Sequence, residues 1–417
     1  MTFSQPSQSP ARFDLVITGG RVLDPGSGTD AVMDVAVKDG RIAHMGTDID
    51  LSASQRVVRA DGRLIVPGLI DMHSHVAGGL RNELIDEAPG GSFLRADLAG
   101  VESGVTTLVD AGSVGAHNVA GMLNYVIPGS LTRVLLFINA GALGQFRRPE
   151  VQSRDDIDAE TTIETILRRP DCIRGVKTRM VGKGLAQLGM ELPRLAKEIA
   201  AASGVPLMVH VGDIETRSEW ARQHIGPLLE DVLAGGDIVT HTLSHQPGAL
   251  LDAQGKLAPE VWTARDKGVV FDAAFGRANF TFDSARAVLD QGLVPDTISS
   301  DITSGGRRGP LHGLSECMNK MMALGMSLED VVLRTTASPA RALGMEDEIG
   351  ALRTGGAADM TLLETATGDW VYRDNFGGVF RAPDALAIAP SLTVRAGRLI
   401  PLDYGPHPWG WWPEQAE

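Results

Sequence analysis

Cysteine is almost missing from this 417-residue sequence, which holds only Cys172 and Cys317. Two thiols build neither a disulfide framework nor a thiolate zinc cluster, so any metal here has to sit on histidines and carboxylates. Long apolar runs are missing too. No window reaches the roughly 18 uninterrupted apolar residues of a membrane-spanning helix. The polar, Ser- and Pro-rich residues 1–12 lack the basic start and apolar stretch of a signal peptide. The expectation is a cytoplasmic protein with a flexible tail over 1–12. Positive charge is in deficit: 52 acidic residues face 38 Lys and Arg, with no basic run. That balance excludes nucleic acid and anionic membranes as partners and leaves a small-molecule substrate. Aromatics, at 5%, are too few for an aromatic-rich β-sandwich throughout. The 49 glycines suit many tight strand-to-helix turns.

Residues 13–65 read as short strands with Gly or Asp turns. Asp39-Gly40 between two alternating runs is a hairpin signal, because glycine tolerates the positive φ of tight hairpin turns. The same pattern returns at 358–363 and 391–400. The segments 13–65 and 355–417 are therefore expected to pair into one small β-sandwich domain. Between them, over 66–354, apolar runs without alternation mark buried parallel strands, each followed by a helix-length segment. They fall at 64–71, 105–111, 133–140, 174–180, 206–212, 237–243, 269–274 and 296–302. Eight such units predict a distorted TIM (β/α)8 barrel. The competing doubly wound sheet would carry a Gly-rich nucleotide turn after its first strand, where this chain has His-Ser-His. Gly182-Lys183-Gly184 lacks the rest of a phosphate loop and reads as an ordinary loop.

Asp71-Met72-His73-Ser74-His75 closes the first of these strands, and residues i and i+2 of an extended segment point to one side. His73 and His75 can therefore face one ion. Lys177 lies in the fourth strand, and His210, His241 and Asp301 end the fifth, sixth and eighth. The intervals from Lys177 to His210, His241 and Asp301 are 33, 31 and 60 residues, or one, one and two βα units. All six side chains thus recur at one height, the C-terminal rim where TIM-barrel active sites sit. Lys177 is the odd member, since an ammonium has no lone pair for a cation. It either pairs with Asp301 in a metal-free barrel or is carboxylated by carbon dioxide into an anionic oxygen ligand.

Val66-Pro-Gly-Leu-Ile-Asp-Met-His-Ser-His75, Thr336-Ala-Ser-Pro-Ala-Arg-Ala-Leu-Gly344 and Gly355-Gly-Ala-Ala-Asp359 resemble signatures of the amidohydrolase superfamily. Ser103-Gly-Val-Thr-Thr-Leu-Val-Asp-Ala-Gly-Ser113, Gly175-Val-Lys-Thr-Arg179, Leu207-Met-Val-His-Val211 and Asp237-Ile-Val-Thr-His241 are similar to its dihydroorotase-like branch. Characterised members of that branch are deacetylases of α-acetoxy carboxylates, such as acetyl-mandelate, and of N-acetyl amino-acid derivatives. The resemblance implies two Zn2+ or other divalent ions, one on His73, His75 and Asp301 and the other on His210 and His241. Carboxylated Lys177 would bridge them. It further implies ester or amide hydrolysis by metal-activated hydroxide, with Asp301 moving the proton.

True dihydroorotases follow His-x-His with an Arg that holds the substrate carboxylate. Here Val76-Ala77-Gly78-Gly79 stands instead, so a cyclic amidase is the alternative and a catalytically dead binding barrel a further one. Substrate contacts are expected from Arg179, Asn279 and His245, and Arg307-Arg308 are expected in a solvated loop. His44, His117, His224, His312 and His407 fall outside the rim pattern. Neither cysteine has a motif for a thiolate nucleophile. Trp409-Gly-Trp-Trp-Pro413 is expected to dock on its own barrel or on a neighbouring subunit of a homo-oligomer.

Overall fold

The computed structural model describes residues 12–77, 93–307 and 309–416; the expected tail 1–11, Gly78, Gly79 and Arg308 lie outside them. Seven parallel strands form one curled sheet in sequence order: β1 (Leu69–Ser74), β2 (Val105–Ala111), β3 (Arg133–Asn139), β4 (Ile173–Arg179), β5 (Leu207–His210), β6 (Ile238–Thr240) and β7 (Val270–Asp272). The eighth expected strand is not a regular one. Residues 296–302 instead bridge both ends of the sheet, through Asp272 with Thr297 and Ser74 with Ile302. The Asp301 amide donates to the His73 carbonyl at 2.6 Å and the His75 amide to the Ile302 carbonyl at 3.1 Å. The segment closes the ring while Asp301 turns into a left-handed conformation, φ 50°.

The stretch 64–71, read as one strand, is split. Leu64–Pro67 pairs antiparallel with Met360–Leu363, and only Leu69 onward joins the barrel. Gly68 is the joint: a Cβ there would meet the Thr106 hydroxyl oxygen at 2.2 Å. Gly182-Lys183-Gly184 opens the helix Gly182–Leu188 rather than a loop. Its amide end is held by Asp213, which accepts from Gly182 N at 2.9 Å.

Helices cover the outside of the barrel because their apolar residues recur on one face. In Glu191–Ser203, Leu192, Leu195, Ala196, Ile199 and Ala200 are buried, and the helix stops at Gly204, φ 67°. Below the rim, Ile70, Met72, Val109, Leu135, Phe137, Met208 and Ile238 pack with Leu343, Met345 and Ile349 in one cluster. No helix among the described residues is long and apolar enough to cross a membrane.

The terminal segments form one nine-stranded sheet. Its longest members, Met360–Arg373 and Val379–Arg395, make an antiparallel hairpin with irregularities at Leu362/Leu363 and Gly368/Trp370. Near its base, Met360, Leu362 and Val394 belong to the core of the terminal sheet. Further out, Trp370, Tyr372, Ala382 and Ile388 belong to the main barrel core, so the hairpin crosses onto the barrel. Its tip is moored there: Asp374 accepts from the amides of Phe376 and Gly378 at 2.8 Å and from that of Phe282 at 3.3 Å. The tryptophan-rich end docks on its own chain, with Trp412 stacked on Trp370 and Arg307 over Trp411.

Candidate metal and catalytic centre

Four barrel strands and the closing segment deliver six side chains to one point. His73 Nε2 and His75 Nε2 stand 3.5 and 3.0 Å from Asp301 Oδ1. Lys177 Nζ lies 3.1 Å from His73 Nε2. The His241 ring sits with its centroid 4.1 Å from that of His210 and 4.9 Å from that of His73. All six rim residues expected to converge are therefore neighbours. Two of them, His241 at φ 74° and Asp301 at φ 50°, together with Ala274 at φ 29° beside them, adopt left-handed backbone. Such strain in residues with a Cβ persists only where surrounding structure enforces it.

Each imidazole is tethered by one nitrogen, which fixes what the other does. His241 Nδ1 donates to the Ala274 carbonyl at 2.8 Å, and His210 Nε2 donates to the Gly212 carbonyl at 3.2 Å. His73 Nδ1 meets the Thr240 hydroxyl at 2.8 Å, and that hydroxyl donates to Asp272 at 2.7 Å. His75 Nδ1 lies 2.9 Å from the Ser113 hydroxyl. With carbonyls and a committed hydroxyl as partners, the remaining nitrogens of His73, His210 and His241 carry lone pairs. Burial, reinforced by neighbouring positive charge, holds His73 and His210 well below the usual imidazole range and takes His241 to about 3. These rings are neutral ligands in waiting. Burial alone would raise Asp301, but the His75 hydrogen bond and the charges of His241, His75 and Lys177 hold it below the ordinary carboxylate value.

The donor set fits a divalent cation. One ligand atom each from His73, His75 and Asp301 lies within 4.8 Å of the others. His241 Nε2 is buried with no hydrogen-bond partner among the described residues, a cost a bound ion would remove. Imidazole nitrogen with carboxylate oxygen is a zinc-type environment. Lys177 is fully buried, and that burial pushes its ammonium down to about 7. It makes no ion pair with Asp301; its near neighbour is a histidine.

A cavity of about 480 Å³ opens above these groups. Arg179 lines it but is occupied, in close ion pairing with Glu150 and 3.7 Å from Glu215. Asn279 lines it with its side chain buried and Oδ1 unpartnered. His245 does not reach the cavity; its ring stands edge-on to Phe376 at 4.5 Å. Arg307 is not solvated either. It pairs with Asp403 and donates to Ser103 and to the His312 carbonyl. Sequence reasoning missed the walls: Phe93, Gln145, Glu215 and Arg217 from barrel loops, and Asn375 and Phe376 from the hairpin tip. The turn Asp374-Asn-Phe-Gly-Gly378 was visible as a turn, but nothing in sequence spacing says that a hairpin of the terminal sheet reaches the barrel rim.

A profile of the amidohydrolase family matches residues 64–394. A deacetylase of Agrobacterium fabrum is 29% identical over 410 residues, 96% of each chain. A deacetylase of Brucella anthropi is 30% identical over 381 residues, 89% of this chain and 90% of its own. Among solved structures, an adenine deaminase superposes with a TM-score of 0.81 at 27% identity, over 93% of this chain and 100% of that one.

Proposed function

This chain belongs to the amidohydrolase family, and on that premise we propose that it is a binuclear zinc deacetylase acting on an ester or amide of a small carboxylate-bearing molecule. The observation that carries this reading is the tethering of four imidazoles around Asp301 and Lys177, with three demonstrable lone pairs left on the rings. His73, His75 and Asp301 would hold one ion, His210 and His241 the second, and carboxylated Lys177 would bridge them. Bound divalent ions supply Lewis acidity, polarising the scissile carbonyl and acidifying water enough for attack near neutral pH.

The protein's own groups do the rest. Asp301, kept ionised by its neighbours, is placed to take the proton of the attacking water and return it to the leaving group. Asp272 fixes the tautomer of His73 through Thr240. Phe93 and Phe376 give the cavity an apolar wall that displaces solvent from the reacting carbonyl. Both deacetylase relatives match nearly end to end, and Val76 and Ala77, both buried, stand where a dihydroorotase would have its carboxylate-binding Arg. These support acetyl transfer to water over ring opening.

The test is a screen of zinc-loaded protein against 2-acetoxy acids, N-acetyl amino acids, cyclic amides and adenine. Acetate release from either of the first two classes is the expected result. Ring opening alone would replace this reading with a cyclic amidase, ammonia from adenine alone with a deaminase, and turnover of none would refute the proposal.

A further inference from the structure

The chain carries a net charge of −14, yet four arginines line its main cavity: Arg148, Arg179, Arg217 and Arg277. Such local enrichment against the global sign points to an anionic ligand, and the four are not equivalent. Arg179 is spent on Glu150 and Glu215, and Arg148 is already engaged. The charge of Arg217 is felt by His245, which stands outside the cavity behind Phe376. Arg277 makes no hydrogen bond or ion pair among the described residues.

The backbone around Arg277 is fixed. Gly276 donates to the Ser300 carbonyl at 3.0 Å, and the Ala278 carbonyl accepts from Gln246 at 2.8 Å. Gly276 adopts φ 55°, and a Cβ on it would lie 2.3 Å from Asp301 Oδ2. The chain therefore passes against the Asp301 carboxylate immediately before Arg277 projects. Two residues on, Asn279 is 1% exposed and presents an unpartnered Oδ1 in the same cavity. A buried amide oxygen without a partner costs stability unless a ligand or water completes it. One short loop thus brings an uncommitted guanidinium and an uncommitted amide beside the group that handles the proton.

We propose that Arg277, assisted by Asn279, anchors the substrate carboxylate, and that this carboxylate sits on the carbon bearing the scissile acyl group. The proposal rests on the deacetylase reading and deepens it. The contact of Gly276 with Asp301 keeps the anchor within one residue of the reacting centre, which suits a 2-acyloxy or 2-acylamino acid and not a remote acid. A guanidinium meets a carboxylate through two parallel charge-assisted hydrogen bonds. Phe93 and Phe376 then face the substituent on that carbon, which is apolar.

Wild type, Arg277→Met, Arg277→Lys and Arg217→Met are compared on 2-acetoxy-3-phenylpropanoate and its methyl ester, and binding of 2-hydroxy-3-phenylpropanoate is measured by calorimetry. Wild type is expected to prefer the free acid over the methyl ester. Arg277→Met should lower kcat/KM on the acid by about 100-fold, mostly through KM, while the uncharged methyl ester loses far less and Arg277→Lys recovers part of the loss. Equal losses on both substrates, no loss on the acid, or collapse of the preference in Arg217→Met instead would overturn the assignment. If wild type hydrolyses neither acetyl compound, the deacetylase reading fails, and the binding measurement still decides the anchor. Weaker binding to Arg277→Met supports it and equal binding refutes it.

Discussion

The hydroxyl of Thr240 stands between His73 Nδ1, at 2.8 Å, and a carboxylate oxygen of Asp272, at 2.7 Å. Asp272 is fully buried and also accepts from Thr297 and Ser299 at 2.8 Å, so this chain of hydrogen bonds has one stable direction. It obliges His73 to donate through Nδ1 and to present Nε2 toward Lys177 and Asp301. Replacing Thr240 by Val removes the relay with little change in volume. The expected outcome is a loss of metal affinity of roughly 10–100-fold with the fold retained, read by competition with a chelator of known affinity. Unchanged affinity would mean that the His73 tautomer is set in some other way.

Lys177 is expected to matter as a ligand and not as a charge. Lys177→Ala should retain less than one divalent ion per chain by elemental analysis, and a short carboxylic acid should restore part of the activity by occupying the vacated space. Full metal content in Lys177→Ala would remove its bridging role.

Arg179 is expected to position the site without touching substrate. Its partner Glu150 is buried and also accepts from Asn139 at 3.0 Å, so Arg179→Met strands a buried carboxylate at a cost of about 3–5 kcal/mol. Thermal unfolding should show that loss, and Arg179→Met/Glu150→Gln should recover part of it. Activity should fall alike on charged and neutral substrates; a loss confined to charged ones would make Arg179 the carboxylate clamp after all.

Phe376 is 44% exposed although it lines the cavity, because it sits on a hairpin tip and not in a core. Phe376→Ala should raise KM for substrates with an apolar substituent by about 10-fold and leave kcat for an unsubstituted one nearly unchanged. Steady-state kinetics on the two substrates checks this, and equal effects would make the tip structural only.

The cysteines are expected to be silent. Burial raises the Cys317 thiol well above its usual range and the Cys172 thiol to about 11, so both stay protonated at pH 8. Thiol titration of the native protein should be slow at both positions and complete on unfolding, and Cys172→Ser/Cys317→Ala should keep wild-type kcat/KM. Loss of activity on mild alkylation would contradict this.

Much of the centre was legible because parallel strands bury continuous apolar runs, and a barrel returns to the same height once per βα unit. That regularity placed His73, His75, Lys177, His210, His241 and Asp301 at one rim from spacing alone. It does not register left-handed backbone, so it read 296–302 as an ordinary strand and gave no sign of the turn at Asp301. It also saw no steric joint at Gly68, where a strand changes sheets for want of a side chain. Substrate contacts were the least legible part. Arg179 follows the rim alternation yet is claimed by Glu150, a residue 29 positions away that no local pattern links to it. His245 lies near His241 in sequence but is turned away onto Phe376, whose approach depends on how a distant hairpin packs.

The most direct test of the central claim is elemental analysis of the purified chain joined to acetate release on the same sample, before and after exhaustive chelation. The account predicts two divalent ions per chain, loss of turnover when they are removed, and its return with added zinc. A metal-free chain that still hydrolyses its substrate at the full rate would contradict it.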